Sequence, residues 1–283
     1  MAAPRVSVCI PAYNAERYIG EAVRSVLDQT FADFELIVRD DASTDATRER
    51  LAAFADPRLR VSANPVNLGA EGNWNAVVGE ARGEFVKILC SDDLLRPDCL
   101  RRQVEALDGS AGAPLACCQR EIIDAQGRVL MVRGNRNFEG VIPGREALRR
   151  IVRSGTNPIG EPSAVLFRHS ALERTGPFDG SLPYVIDIDL WCRMLLHGPV
   201  VALPEALCAF RVAAGSWSLR LALHQARNYR RFVRRLGSDP RYGLTLGDRT
   251  VGRFKSMALN LARIAFYAAA LPARQSSRSS STI

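Results

Sequence analysis

The sequence predicts an α/β fold, a mostly parallel sheet flanked by helices, with a helical C-terminal appendage. Three observations carry that expectation. Apolar runs of strand length at residues 6–10, 34–38, 59–62 and 85–90 alternate with segments of helical period. Three of these runs stop at turn-forming or acidic groups: Pro11-Ala12-Tyr13-Asn14, Asp40-Asp41 and Asp92-Asp93. After residue 218 the strand-like runs cease and the chain becomes helical and arginine-rich.

Val6-Ser7-Val8-Cys9-Ile10 reads as a buried strand stopped by Pro11. Residues 16–29 follow as a helix with Ile19, Val23, Val26 and Leu27 on one face. A second strand at 34–38 ends at Asp40-Asp41, and Asp45 is placed to cap a helix over 46–54. A third strand at 59–62, a Gly/Asn loop at 64–72, a helix over 73–80 and a fourth strand at 85–90 complete the repeating part. Such alternation implies right-handed crossovers, with ligands outside the carboxyl ends of the strands. From residue 115 the rhythm changes. Strands at 115–120 and 128–132 flank a turn at 124–127. A helix at 144–154, a loop at 157–163 and a strand at 164–168 follow. A helix opens at Asp187 and runs to Leu196, then two strands are expected at 200–203 and 206–211. The apolar stretch 258–271 is interrupted by Arg263, and the Ser-rich residues 275–283 are expected to be disordered.

With 283 residues, 47% hydrophobic and 24% charged, the chain can bury a large core and has globular composition. Seven cysteines without a CxxC pair, and no leader-like start, point to reduced, buried thiols in a cytoplasmic protein. No run reaches membrane-spanning length, and the three histidines do not sit at zinc-ligand spacing. The net charge of +8 is uneven: residues 219–283 carry 13 of the 38 Lys and Arg but two of the 30 acids. A basic end of this kind suits peripheral contact with an anionic membrane, or is a solvated helix face. No nucleic-acid motif accompanies it, so no nucleic-acid partner is expected.

Two carboxylates at a strand exit can hold a hard divalent cation and, through it, phosphate oxygens. Alone, Asp92-Asp93 would serve equally well as a cap for the helix after Pro97. Three polar strand exits on one sheet edge favour the ligand reading.

Val6-Ser7-Val8-Cys9-Ile10-Pro11-Ala12-Tyr13-Asn14, Asp40-Asp41-Ala42-Ser43-Thr44-Asp45, Asn67-Leu68-Gly69, Cys90-Ser91-Asp92-Asp93 and Asp187-Ile188-Asp189-Leu190-Trp191 occur in that order. Together they resemble the family 2 inverting glycosyltransferases, which have the GT-A nucleotide-sugar-binding fold. The resemblance implies that Pro11 and Tyr13 lie against the base and ribose. Asp41, with Asp40 beside it, would accept the imide N–H of the base. Asp93 would ligate Mg²⁺ or Mn²⁺ on the diphosphate, with Asp92 toward the ribose or a metal-bound water. Asp187 matches the base that deprotonates the acceptor hydroxyl. Asp189 is the second candidate, read first as an organiser of the helix start. Trp191 is read as core or acceptor-pocket wall, and Arg211 as a phosphate contact or a surface ion pair. Two positions depart from the family pattern: Ile186 stands where Glu is usual, and Ala213 where a His follows the Arg.

The resemblance further implies a GT-A domain over 1–218, with a donor half at 1–114 and an acceptor half at 115–218. A basic helical extension over 219–274 and a tail over 275–283 follow. The implied activity is metal-dependent, inverting transfer of a sugar from a nucleotide-diphospho-sugar to a saccharide or lipid-linked acceptor. Such an enzyme would act in envelope polysaccharide synthesis on the inner face of the cytoplasmic membrane. Two alternatives remain open at this stage. A nucleotidyltransferase would need a Gly-rich, cationic loop after the first strand, where Pro11-Ala12-Tyr13-Asn14 has neither. A non-catalytic scaffold of the same fold is the other.

Overall fold

The structure, a computed structural model, describes residues 3–134, 138–212 and 225–270; Ala213 and the expected tail at 275–283 lie outside the described residues. Four parallel strands form the first half of one sheet: β1 (Val6–Ala12), β2 (Phe34–Asp40), β3 (Leu59–Ala63) and β4 (Phe85–Ile88). They lie in the order β3-β2-β1-β4, joined by the crossover helices α1 (Ile19–Leu27), α2 (Thr47–Ala52) and α3 (Gly69–Val78). α3 starts four residues before the predicted helix. Gly69 takes a φ of 74°, and the N–H groups of Leu68 and Gly69 are satisfied by Asp41 at 2.8 and 3.0 Å. A cap borrowed from another strand's exit cannot be read from local periodicity.

The second half continues the same sheet. After β5 (Leu94–Leu95) and α4 (Cys99–Asp108) come β6 (Leu115–Ile123), β7 (Val129–Arg133) and β8 (Gly140–Ile142). Then follow α5 (Gly144–Ser154), β9 (Val165–Arg168), α6 (His169–Thr175), α7 (Ile186–Met194) and β10 (Val200–Arg211). The order continues β9-β6-β10-β5, with β7 on β6 and β8 on β10. β9 runs antiparallel to both β4 and β6, so the sheet is mixed, although β6 and β10 pair in parallel. The two strands expected at 200–203 and 206–211 are one strand. Its register shifts between Leu203 and Cys208, around Pro204, which has no N–H to give to the ladder.

Both sheet faces are covered. α1, α2 and α4 pack on one side; α3, α5 and α7 pack on the other. Burial on both faces explains why the first strands read as continuous apolar runs. Lys87 interrupts β4 and is fully buried, its ammonium donating to Gln103 Oε1 at 2.8 Å and to the Val165 carbonyl at 3.3 Å. α8 (Gln225–Ser238) places Tyr229, Phe232, Val233 and Leu236 in the same core as α5 and α7. Each such side chain is worth about 1.5–3 kcal/mol of burial, so α8 is integral to that core. α9 (Leu246–Ala270) packs on α5 and α8. Among the described residues no helix is long and apolar enough to cross a membrane.

Candidate active site

At the carboxyl edge of the parallel strands, the turns after β1 and β2 are stitched together. Asn14 N–H donates to Ser43 Oγ at 2.9 Å, Thr44 N–H to Asn14 Oδ1 at 2.9 Å, and Ala15 N–H to Thr47 Oγ1 at 2.8 Å. Asp45 accepts from Glu16 N–H and Thr47 N–H and so ties the two turns at the start of α2, but the N-cap position itself is Ala46 and not the expected Asp45. Two non-glycine residues in these turns adopt positive φ, Asn14 at 47° and Ala42 at 55°. Such backbone is costly for a residue with a Cβ and persists where the surroundings fix it. Pro11 is half-buried here and Tyr13 projects into solvent.

Asp40 and Asp41 are both buried but differently held. Asp40 Oδ2 accepts from Arg48 Nε at 2.7 Å and Ser43 N–H at 3.2 Å, whereas its Oδ1 is buried without a partner. Asp41 accepts from Asn64 Nδ2 at 2.6 Å as well as from the start of α3. Asn64 also donates to Asn73, whose own amide reaches the Arg39 carbonyl. Asp41 therefore serves as the anchor of α3 in addition to whatever it offers a ligand.

Asp93 is fully buried beyond β4. Ser163 Oγ donates to its Oδ2 and the Arg211 N–H to its Oδ1 at 3.0 Å. Burial pushes its carboxyl well above the usual range, and the Asp92 charge pushes it further. Asp92 is raised too, chiefly by burial, and its carboxylate takes no hydrogen bond from another described residue. This is an all-oxygen pair carrying more negative charge than its surroundings compensate, which suits a hard divalent cation. Among the described residues no group of three or more His, Cys, Asp or Glu side chains is arranged around a metal. Two carboxylates alone would leave most of such a shell to other groups, such as diphosphate oxygens and water.

Asp187 lies in the first turn of α7, buried. Asn157 Nδ2 donates to its Oδ2 at 3.0 Å and Ile188 N–H to its Oδ1 at 2.8 Å. Burial lifts its pKa to about 7, with the Glu161 charge adding to the lift. Glu161 is ion-paired with the buried Arg120. Burial works against its ionised form, but the charges of Arg120 and Arg133 bring its pKa down. Glu161 also acts on Asp93. One loop thus serves both acids: Asn157 orients Asp187, and six residues later Ser163 holds Asp93. Asn157, Glu161 and Ser163 were not picked out singly by the sequence, because a polar loop has no period; nor was Arg120, a cation inside the strand β6. Ile186 is buried in the core, where a carboxylate would be poorly hosted.

Asp189, Trp191 and Arg211, each read with a structural alternative, have partners within the protein. Asp189 accepts from Arg193 Nε at 3.0 Å and from Arg235 Nη2, so both oxygens bind α7 to its surroundings and to α8. Trp191 is wholly buried against Phe167 and Phe178. Arg211 is buried; Nε donates to the Asp92 carbonyl at 2.9 Å and Nη2 to Glu21 at 2.6 Å, while its guanidinium lies 4.3 Å from the Tyr18 ring centroid. It braces the Asp92-Asp93 turn from behind.

A sheet edge with stitched turns, an acidic pair and a separately held carboxylate is the layout of a GT-A transferase. The profile of the family described as "Glycosyl transferase family 2" matches residues 7–176. The chain belongs to that family and is a glycosyltransferase. It is similar to the Escherichia coli UDP-Glc:alpha-D-GlcNAc-diphosphoundecaprenol beta-1,3-glucosyltransferase WfgD, at 39% identity over 36% of this chain and 40% of that protein. The match therefore spans less than half of WfgD. Among solved structures, S. aureus TarS 1–349 in complex with UDP-GlcNAc aligns with TM-score 0.65 and 22% identity over 82% of this chain and 66% of that one. The mannosyltransferase PcManGT from Pyrobaculum calidifontis, in complex with GDP-Man and Mn²⁺, aligns with TM-score 0.59 and 20% identity over 95% and 74%. These structural likenesses establish the GT-A fold.

Proposed function

We propose that the protein transfers a sugar, with inversion, from a nucleotide-diphospho-sugar to an acceptor hydroxyl in polysaccharide or lipid-linked glycan synthesis. The observation that supports this reading is the shared loop, in which Ser163 holds Asp93 and Asn157 holds Asp187. Tyr13 and Pro11 flank the nucleotide; Asp41, or the unpartnered Oδ1 of Asp40, accepts from the base. Asp92 and Asp93 hold the divalent cation. When bound, Mg²⁺ or Mn²⁺ would screen the charge of the departing diphosphate. Asp187 takes the acceptor's proton as its oxygen attacks the anomeric carbon from the face opposite the diphosphate. A carboxyl titrating near 7 suits that task, since it is both populated as a base and basic enough to accept. Asn157 fixes the orientation of its lone pairs, and Glu161 keeps its basicity high. The basic extension of residues 219–283 makes peripheral contact with anionic membrane.

WfgD is named for a diphosphoundecaprenol-linked acceptor, and an acceptor of that class fits a chain with a basic surface. The test is a thermal-shift panel of nucleoside diphosphates with and without Mn²⁺, followed by turnover of the matching nucleotide sugar. One nucleotide should stabilise the protein, more so with Mn²⁺, and its sugar derivative should turn over. No response to any nucleotide would overturn the reading.

A further inference from the structure

A strand that packs on a core hides every second side chain. β7 does not: Val129, Leu130, Met131 and Val132 are consecutive and 44–54% exposed, and among the described residues β7 pairs with β6 alone. Four adjacent apolar residues on a two-sided ribbon are a surface built to be covered.

Its neighbours indicate by what. Arg133, at the end of β7, reaches Thr156 Oγ1 at 3.3 Å. Gly155, the preceding residue, lies so close to α9 that a Cβ there would sit 2.5 Å from Ser256 N. Tyr229 of α8 donates to the Ile151 carbonyl at 2.8 Å at the end of α5. The same turn is thus touched by β7 and α9 and backed by α8, and its next residue is Asn157, the partner of Asp187. The outward face of α9 is also apolar, with Leu246, Phe254 and Met257 all more than half exposed. α8 turns a stripe of four exposed arginines outward, Arg227, Arg230, Arg231 and Arg234, none in an ion pair among the described residues. Residues 225–270 hold ten Lys and Arg against two acids, and Asp248, one of the two, is buried on Arg149 and Arg153. Exposed apolar side chains and uncompensated cations on elements that meet at one turn complement an anionic bilayer: the cations meet lipid phosphates and the apolar groups enter the acyl boundary.

We propose that the β7 ribbon is a second lipid contact, which with α8 and α9 seats the turn at Gly155 and Thr156 on an anionic bilayer, so that a lipid-diphosphate-linked acceptor meets Asp187 at the membrane surface. The inference deepens the transferase reading and rests on it for the nature of the acceptor. Deleting residues 219–283 is no test, because it strips α8 from the core.

The full chain is mixed with vesicles of phosphatidylcholine alone or with 30% phosphatidylglycerol, on the order of the anionic content that attracts basic surfaces. Three forms are compared: the parent, Leu130→Glu/Met131→Glu, and Met131→Trp. The parent should sediment with the anionic vesicles and stay in solution with the neutral ones. The double variant should bind the anionic vesicles at least tenfold more weakly. Met131→Trp should give a blue-shifted signal quenched by brominated acyl chains beyond that of the parent tryptophans. The nucleotide thermal shift serves as the control, and the double variant should keep it. Unchanged vesicle binding by the double variant, with no bromolipid quenching at residue 131, would overturn the proposal even where the nucleotide shift is intact. So would a parent that is dimeric in light scattering and becomes monomeric in the double variant while binding vesicles equally well, because β7 would then be covered by a second copy. Loss of the nucleotide shift in the parent would instead strike the transferase reading.

Discussion

The donor edge and the acceptor loop both bury carboxylates, but they treat them differently. On the donor edge, Asp41 receives three donors and Asp40 an arginine; these acids are part of the scaffold. At the loop of residues 157–163, Asp93 and Asp187 are each held by two donors, and burial raises both. On the proposed reading the contrast separates groups that position from groups that react, since a carboxylate kept basic by its surroundings has a use for a proton or a cation. It also separates two acids on one helix. Asp187 and Asp189 share the first turn of α7, yet Asp189 is neutralised by Arg193 and Arg235 while Asp187 has an amide and a backbone N–H.

The sharpest way to break that comparison is Asp187→Asn, which should lower transfer by about 10²–10⁴-fold, the range for a lost general base, with nucleotide binding retained. Equal turnover in the variant would make Asp189 the candidate. Asp93→Asn comes next. It should abolish the extra stabilisation that Mn²⁺ gives to nucleotide binding, read by thermal shift, while metal-free nucleotide binding persists. Asp189→Asn should behave in the opposite manner to Asp187→Asn, destabilising the fold by about 1–3 kcal/mol because it frees two arginines from a buried carboxylate. Its chemical denaturation midpoint should fall, and its turnover should change less than tenfold.

A quieter test uses linkage. The folded protein holds a proton on Asp187 up to about pH 7, whereas the unfolded chain releases it near the ordinary carboxylate value of 3.8. Ionising Asp187 therefore costs stability as pH rises from about 4 to 7, with no further loss above that. Denaturation curves of Asp187→Asn should lack this component, so its stability relative to the parent should improve across that interval. The smallest expected effect is at Ala42, whose φ is 55°. Ala42→Gly should stabilise by about 0.5–1 kcal/mol, the relief of left-handed backbone less the added freedom of the unfolded chain, seen as a raised melting temperature.

Much of the parallel half was legible because both-face burial writes itself as unbroken apolar runs, as in β1 and β2. The acidic exits of β2 and β4 were legible for the same reason, since charge at the end of a buried run stands out. What was hidden depended on distant partners. β5 has two residues and β8 three, too few to show a period, and they exist through pairing with β10. The break at Pro204 looked like a loop because sequence cannot distinguish a bulge from an end. At the site, Asp187 could be found from its motif, but Asn157 and Ser163 could not. Their roles follow from where the loop lies against α7 and the exit of β4. Arg211, read as a phosphate contact or a surface ion pair, pairs with Glu21 and braces the acidic turn, and its burial could not be read from sequence.

The central claim is that Asp187 is the base and that its surroundings set its basicity. The most direct measurement is the pH dependence of kcat/KM for the nucleotide sugar in the parent and in Glu161→Gln. The parent should lose activity on the acid side with a midpoint near 7, as Asp187 takes up its proton. Removing the Glu161 charge, which raises Asp187, should move that midpoint to lower pH. A profile with no acid limb above pH 5, or a midpoint indifferent to Glu161→Gln, would contradict the account.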